Sequence, residues 1–186
     1  MADALSPTAA PKQVGKRRAL SRYLILVLAA GFVALLAYGL MISGDRRVTE
    51  GQAPDFTLTS FEGKTYRLSE LQGQVVVLNF WATWCVSCKD EADDIERVWR
   101  QYRDRGVLVL GVNYLDQEPL NRQWIQNYDI TYPNGPDIQG RIYNAYGVQG
   151  LPETFIVDPQ GQVAKVFIGP VTEAQLVAEL ERLLRH

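Results

Sequence analysis

Read for where apolar and polar residues fall, the chain opens on polar and basic positions. It then runs through "YLILVLAAGFVALLAYGLMI", residues 23–42, without a charge, and returns to a mixed pattern after residue 53. In the mixed part, "DFTLTS" and "TYRL" alternate around the turn "FEGK" and predict a small hairpin, while "QVVVLNF" is a continuous apolar run suited to a buried central strand. Ala92, Ile95, Val98, Trp99 and Tyr102 recur at helical spacing. Acids crowd the first half of that stretch and Arg97, Arg100, Arg103 and Arg105 the second, as the helix dipole favours, so a helix is predicted from the cysteines to about Arg105. "VLVLGVN" reads as a second buried strand, 119–128 and 139–146 as helices, and "TFIVD" and "VAKVFIG" as a hairpin around "PQGQ". Thr172 and Gln175 form a capping box ahead of Leu176, Val177, Leu180, Leu183 and Leu184, which mark a final amphipathic helix. The predicted order, β-β-β-α-β-α-α-β-β-α, points to a mixed sheet with helices on both faces.

The charge-free stretch changes the domain picture. Twenty helical residues reach about 30 Å, one hydrocarbon thickness. No core large enough to bury such a helix is expected in 186 residues. A cleaved signal peptide is the rival reading, although its apolar region ordinarily runs only about 7 to 15 residues. The predicted organisation is a basic tail at 1–22, a transmembrane signal-anchor at 23–42, a polar linker at 43–52 and one domain at 53–186. Lys12, Lys16, Arg17, Arg18 and Arg22 precede the span, while Arg46 and Arg47 after it are partly offset by Asp45 and Glu50. The positive-inside rule then leaves the N-terminus cytoplasmic and the domain extracytoplasmic. A formal charge of −2 over the whole chain carries no nucleic-acid signature.

Both cysteines of the chain, Cys85 and Cys88, lie in "FWATWCVSC" between a predicted strand and a predicted helix. Cys85 is expected at the mouth of the helix and Cys88 one turn inside. Unpaired N–H groups and the positive end of the dipole would then stabilise a Cys85 thiolate, the nucleophile, with Cys88 resolving the mixed disulfide. A structural staple across so small a loop removes little chain entropy. Zinc needs two further ligands, and the one histidine is the terminal His186. Two thiolates could still hold Cu(I), so copper binding or delivery stands as the alternative to dithiol exchange. No cofactor beyond the Cys85–Cys88 disulfide is expected.

"VVVLNFWATWCVSCKDE", followed in order by "GVNY", "YGVQGLPETFIVD" and "GQVAKVFIG", resembles the membrane-anchored thioredoxin-like proteins of the TlpA/ResA/CcmG (DsbE) group over residues 51–186. "GVNY" and "GLPETF" are most similar to the CcmG branch, reductases of cytochrome c maturation. The resemblance implies an α/β thioredoxin-like fold with an N-terminal β-hairpin and a helix and strand inserted at 112–134, beside the N-terminal transmembrane helix. It implies a cis Pro152 lying against the cysteines, with the Leu151 backbone open to pair with substrate, and cis X-Pro bonds are indeed scarce enough to be placed for a reason. It also implies a functional glutamate at Glu91, three residues after Cys88 and on the same helical face. Asn79 stands where thioredoxins carry a buried aspartate, so Glu91 is the expected proton carrier for Cys88, with a pKa raised by burial. Two positions depart from the usual pattern: Ser87 and Asp93 replace common prolines. Trp84 and Trp81 are candidates for the rim, and Glu153 for selecting a basic substrate segment. The implied partners are a protein disulfide, namely apocytochrome c, and a membrane electron donor of the CcdA/DsbD kind. Neutral Val86 and Ser87, with Asp90, Glu91, Asp93 and Asp94 opposing negative charge on Cys85, favour a reductase over an oxidase.

Overall fold

The structure, a computed structural model, describes residues 14–42 and 47–185. The chain divides into two compact units, Met1–Gly44 and Asp45–His186. In the first, helix α1 (Val14–Ile42) begins within the basic tail and runs the length of the charge-free stretch. Its described large apolar side chains, among them Leu26, Leu28, Phe32 and Leu35, are exposed. Among the described residues no helix is long and apolar enough to cross a membrane. The side chains of the expected span beyond Tyr38 lie outside them, as do residues 1–13 of the expected tail and 43–46 of the expected linker.

The second unit is built on β3 (Val75–Trp81), whose seven residues are all buried because both faces of the sheet are covered. β4 (Val107–Tyr114) pairs parallel to it on one side and β6 (Glu153–Val157) antiparallel on the other. β5 (Asn134–Asp137) and β7 (Val163–Ile168) complete the order β5-β4-β3-β6-β7. Strand side chains alternate between faces. Val75, Val77 and Trp81 meet α2 (Lys89–Tyr102), Trp124 of α3 (Glu118–Asn127) and α5 (Glu173–Leu183). Val76, Leu78 and Phe80 meet α4 (Arg141–Ala145) and the hairpin of β1 (Thr57–Thr59) and β2 (Thr65–Arg67). The expected capping box is present: Thr172 accepts from the Gln175 N–H and Gln175 from the Thr172 N–H.

Two features differ from the apolar pattern. β5 is a strand made of "NGPD", which carries no strand-favouring residues and is tolerated because it lies at the sheet edge. Its exposed edge is covered by the hairpin, with the Phe61 N–H donating to Asn134 O at 2.8 Å. Gly135 permits this approach, since a Cβ there would stand 2.5 Å from the Thr59 carbonyl oxygen. The second difference concerns the polar stretch expected as a free linker, which packs on the domain from Arg47 onward. The Val48 N–H donates to Tyr146 O, and Ala53 and Val163 exchange backbone bonds with Gly161 and Gly51.

Candidate active site

The end of β3 delivers Trp81 into the core, where its indole N–H donates to Asn134 Oδ1 at 2.8 Å and its ring stacks on Trp124 at 4.2 Å. Of the two rim candidates, Trp81 is therefore a core residue and Trp84 is the exposed one, at 58%. The chain then turns tightly. The Cys85 N–H donates to Ala82 O, Lys89 to Val86 O and Asp90 to Ser87 O, all three-residue closures of 3.2–3.3 Å. The regular helix therefore starts at Lys89 with Cys88 at its N-cap, rather than one turn inside it. The cysteines form a disulfide with an S–S distance of 2.07 Å. Cys88 is 1% exposed and Cys85 5%, and the peptide N–H of Cys88 points at Cys85 Sγ from 3.2 Å. That donor sits where a Cys85 thiolate would develop.

An aspartate that pattern reading does not single out supports this turn. Asp116, in the loop after β4, accepts the Thr83 N–H at 2.7 Å through Oδ2 and the Gln117 N–H through Oδ1. Burial pushes its carboxyl up, but the donors from Thr83, Gln117 and Asn113 outweigh that and hold it below the usual aspartate range. Nothing in the local sequence connects Asp116 with Thr83, which lies 33 residues earlier.

Glu91, in the first turn of α2, is 1% exposed. Its Oε1 accepts from Asn79 Nδ2 at 2.7 Å and its Oε2 from the Val171 N–H at 2.9 Å. Asn79 faces it from β3 and also donates to Thr154 Oγ1, its partner across the β3–β6 ladder. Burial raises the Glu91 carboxyl to about 7, only partly opposed by the two neutral donors. The phenol of buried Tyr132 is likewise pushed up, by burial and by the charges of Glu91 and Glu96.

The Leu151–Pro152 peptide bond is cis. Pro152 is buried and its carbonyl accepts from the Gly169 N–H at 2.9 Å, while half-buried Leu151 touches both cores. Glu153 departs from its reading as the selector of a basic substrate segment. Its carboxylate is buried and already bound by a cation of this chain, Arg47, through two bonds of 2.9 Å. Among the described residues no three His, Cys, Asp or Glu side chains are grouped to hold a metal ion.

A buried Cys-x-x-Cys disulfide between a central strand and a helix, a buried carboxyl in the first turn of that helix and a cis-proline turn define a thiol-disulfide oxidoreductase of thioredoxin-like fold. The chain belongs to the AhpC/TSA family, matched over residues 49–166, and to the TlpA/ResA/CcmG group of thioredoxin-like proteins. It is 33% identical over 154 residues to the thiol-disulfide oxidoreductase ResA of Bacillus subtilis, covering 82% of this chain and 84% of that one. The ResA of Geobacillus thermodenitrificans is 32% identical over 169 residues, 90% of this chain and 97% of its own. Among solved structures, a Chlorobium tepidum protein assigned as thiol:disulfide interchange protein DsbE matches with a TM-score of 0.67 and 28% identity. That match covers 74% of this chain and 99% of the other. The protein is thus a protein-disulfide oxidoreductase.

Proposed function

We propose that this protein is a membrane-tethered, extracytoplasmic thiol:disulfide reductase that reduces the haem-attachment disulfide of apocytochrome c. The observation that carries the reading is the buried Cys85–Cys88 pair at the head of α2 with the Glu91 carboxyl buried in the first turn of the same helix. In the reduced state the Cys85 thiolate attacks one sulfur of the substrate disulfide, forming a mixed disulfide and expelling a substrate thiolate. Cys88 gives its proton to Glu91 and attacks Cys85 Sγ, which regenerates the disulfide and releases the second substrate thiolate. Two electrons pass to the substrate, and the proton held on Glu91 is returned when a donor of the CcdA/DsbD kind restores the dithiol. Exposed Trp84, next to Cys85 in the chain, and the 151–152 turn with its cis bond are the parts of this reading that receive the substrate chain.

The proposed direction is supported by how little holds a thiolate on Cys85. One peptide N–H faces its sulfur, and the Ser87 hydroxyl lies 3.8 Å away. Asp90 and Glu91 stand in the first turn of α2, where a strongly oxidising site would place neutral or positive groups. The tether rests on the charge-free stretch of α1, whose exposed apolar side chains need a nonaqueous cover. The basic residues ahead of it favour a cytoplasmic N-terminus. The substrate rests on the resemblance to reductases of cytochrome c maturation.

Cys88→Ala in the full chain, incubated with an oxidised apocytochrome c, tests this directly. The account expects a Cys85-linked mixed disulfide that accumulates because no resolving thiol remains. Absence of that adduct, with Cu(I) held tightly by the intact pair and lost in the variant, would move the function to copper-site assembly.

A further inference from the structure

The buried pair between Arg47 and Glu153 joins two parts of the chain 106 residues apart. Arg47 Nε donates to Glu153 Oε2 and Nη2 to Oε1, each at 2.9 Å, a parallel fork in which the two side chains are 9% and 1% exposed. Glu153 Oε1 accepts a third bond, from the Gln149 N–H at 3.1 Å. The 149–152 turn, which contains the cis Leu151–Pro152 bond, is therefore clamped twice. The Glu153 carboxylate holds its start, and the Gly169 N–H bonded to Pro152 O holds its end. A cavity of about 350 Å³ opens beside it, lined by Arg47, Gly150, Leu151, Pro152 and Ile168.

We propose that Arg47 is a positioning residue of the active site: by fixing both oxygens of Glu153 it holds the 149–152 turn in the conformation that receives substrate. A well-packed apolar pair would serve stability as well as a buried ion pair does. What the guanidinium fork adds is direction, because its two parallel bonds set the plane of the carboxylate and so the oxygen that the Gln149 N–H meets. The stretch ahead of residue 53 then helps to position the site. This inference rests on the reading of that turn as the substrate seat.

The test compares the full chain with Arg47→Met, Arg47→Lys and the double variant Arg47→Met/Glu153→Met, using dithiothreitol as donor and a short synthetic peptide with a Cys-x-x-Cys disulfide as substrate. Arg47→Met is expected to raise KM about tenfold while kcat stays within about twofold, the mark of lost binding rather than lost chemistry. Arg47→Lys keeps the charge but not the fork, and is expected to fall between. The double variant removes the buried charge altogether, and is expected to recover thermal stability but not KM. All three should keep the reduction potential of the unaltered protein. Recovery of KM together with stability in the double variant, or an unchanged KM in Arg47→Lys, would reduce the pair to a structural contact and overturn the proposal. Failure of the unaltered protein to reduce the peptide would instead overturn the reductase reading.

Discussion

Glu91 and Glu153 are each 1% exposed, yet their carboxyl groups meet different partners. Glu91 is held by an amide side chain and a peptide N–H, both neutral, and its proton affinity rises to about 7. Glu153 meets the full opposite charge of Arg47 in two parallel bonds and a peptide N–H besides. Neutral donors offset only part of the cost of burying a charged carboxyl, whereas a guanidinium fork supplies the opposite charge and fixes its orientation. On the reading proposed above, Glu91 exchanges a proton and Glu153 holds a turn. One stands on the cysteine helix and the other directly after the cis-proline.

Removing the partner of each should therefore have unlike consequences. Arg47→Met leaves a buried, unpaired carboxylate and is expected to lower stability by about 3–5 kcal/mol. In a chain of this size that is a fall in Tm of roughly 10 °C, readable by circular dichroism. A loss below about 1 kcal/mol would show that Glu153 has another way to be satisfied.

The next largest effect is a pH dependence. Because the native carboxyl of Glu91 is raised from 4.5 to about 7, the folded state binds its proton more tightly than the unfolded chain does. Its contribution is fully present below about pH 4.5 and is lost as pH rises through 7, a change of about 3 kcal/mol. Urea unfolding at pH 5 and pH 8 should show that slope in the unaltered protein and its absence in Glu91→Gln. Equal slopes would place the proton elsewhere. In activity, Glu91→Gln is expected to slow disulfide reduction about a hundredfold near pH 7 and to flatten the pH–rate profile, since an amide cannot take the proton of Cys88.

Trp84→Ala gives the smallest stability effect. The side chain is mostly exposed, so Tm should move little, with a change within about 0.5 kcal/mol. KM for a protein disulfide should nevertheless rise a few-fold, which steady-state kinetics with a protein and a small-molecule disulfide would separate.

Much of the fold was legible where local pattern and final burial agree. The unbroken apolar run of β3 lies buried on both faces, and the helix after the cysteines shows its 3.6-residue spacing in Ile95, Val98 and Tyr102, all buried. Thr172 and Gln175 cap as their spacing requires. The inserted strand, β5, was implied by the resemblance but not by the residue pattern, because a Gly-Pro edge strand owes its existence to the hairpin laid over it, not to its own residues. In the site, Cys85 and Cys88 stand out by their spacing, and Glu91 by its place three residues further on together with the family resemblance. The groups that tune them do not: Asn79 and Val171 lie 12 and 80 residues from Glu91, and Arg47 lies 106 from Glu153. Reading Glu153 as a substrate contact failed for that reason, since its cation belongs to a stretch whose composition looks like a linker.

The most direct test of the account is the equilibrium reduction potential of the Cys85–Cys88 couple in the full chain, measured against glutathione or dithiothreitol buffers. The account predicts a value of roughly −250 mV or lower, near the roughly −270 mV of thioredoxin. A value near the roughly −120 mV of DsbA would contradict it and make the protein an oxidant of its partners.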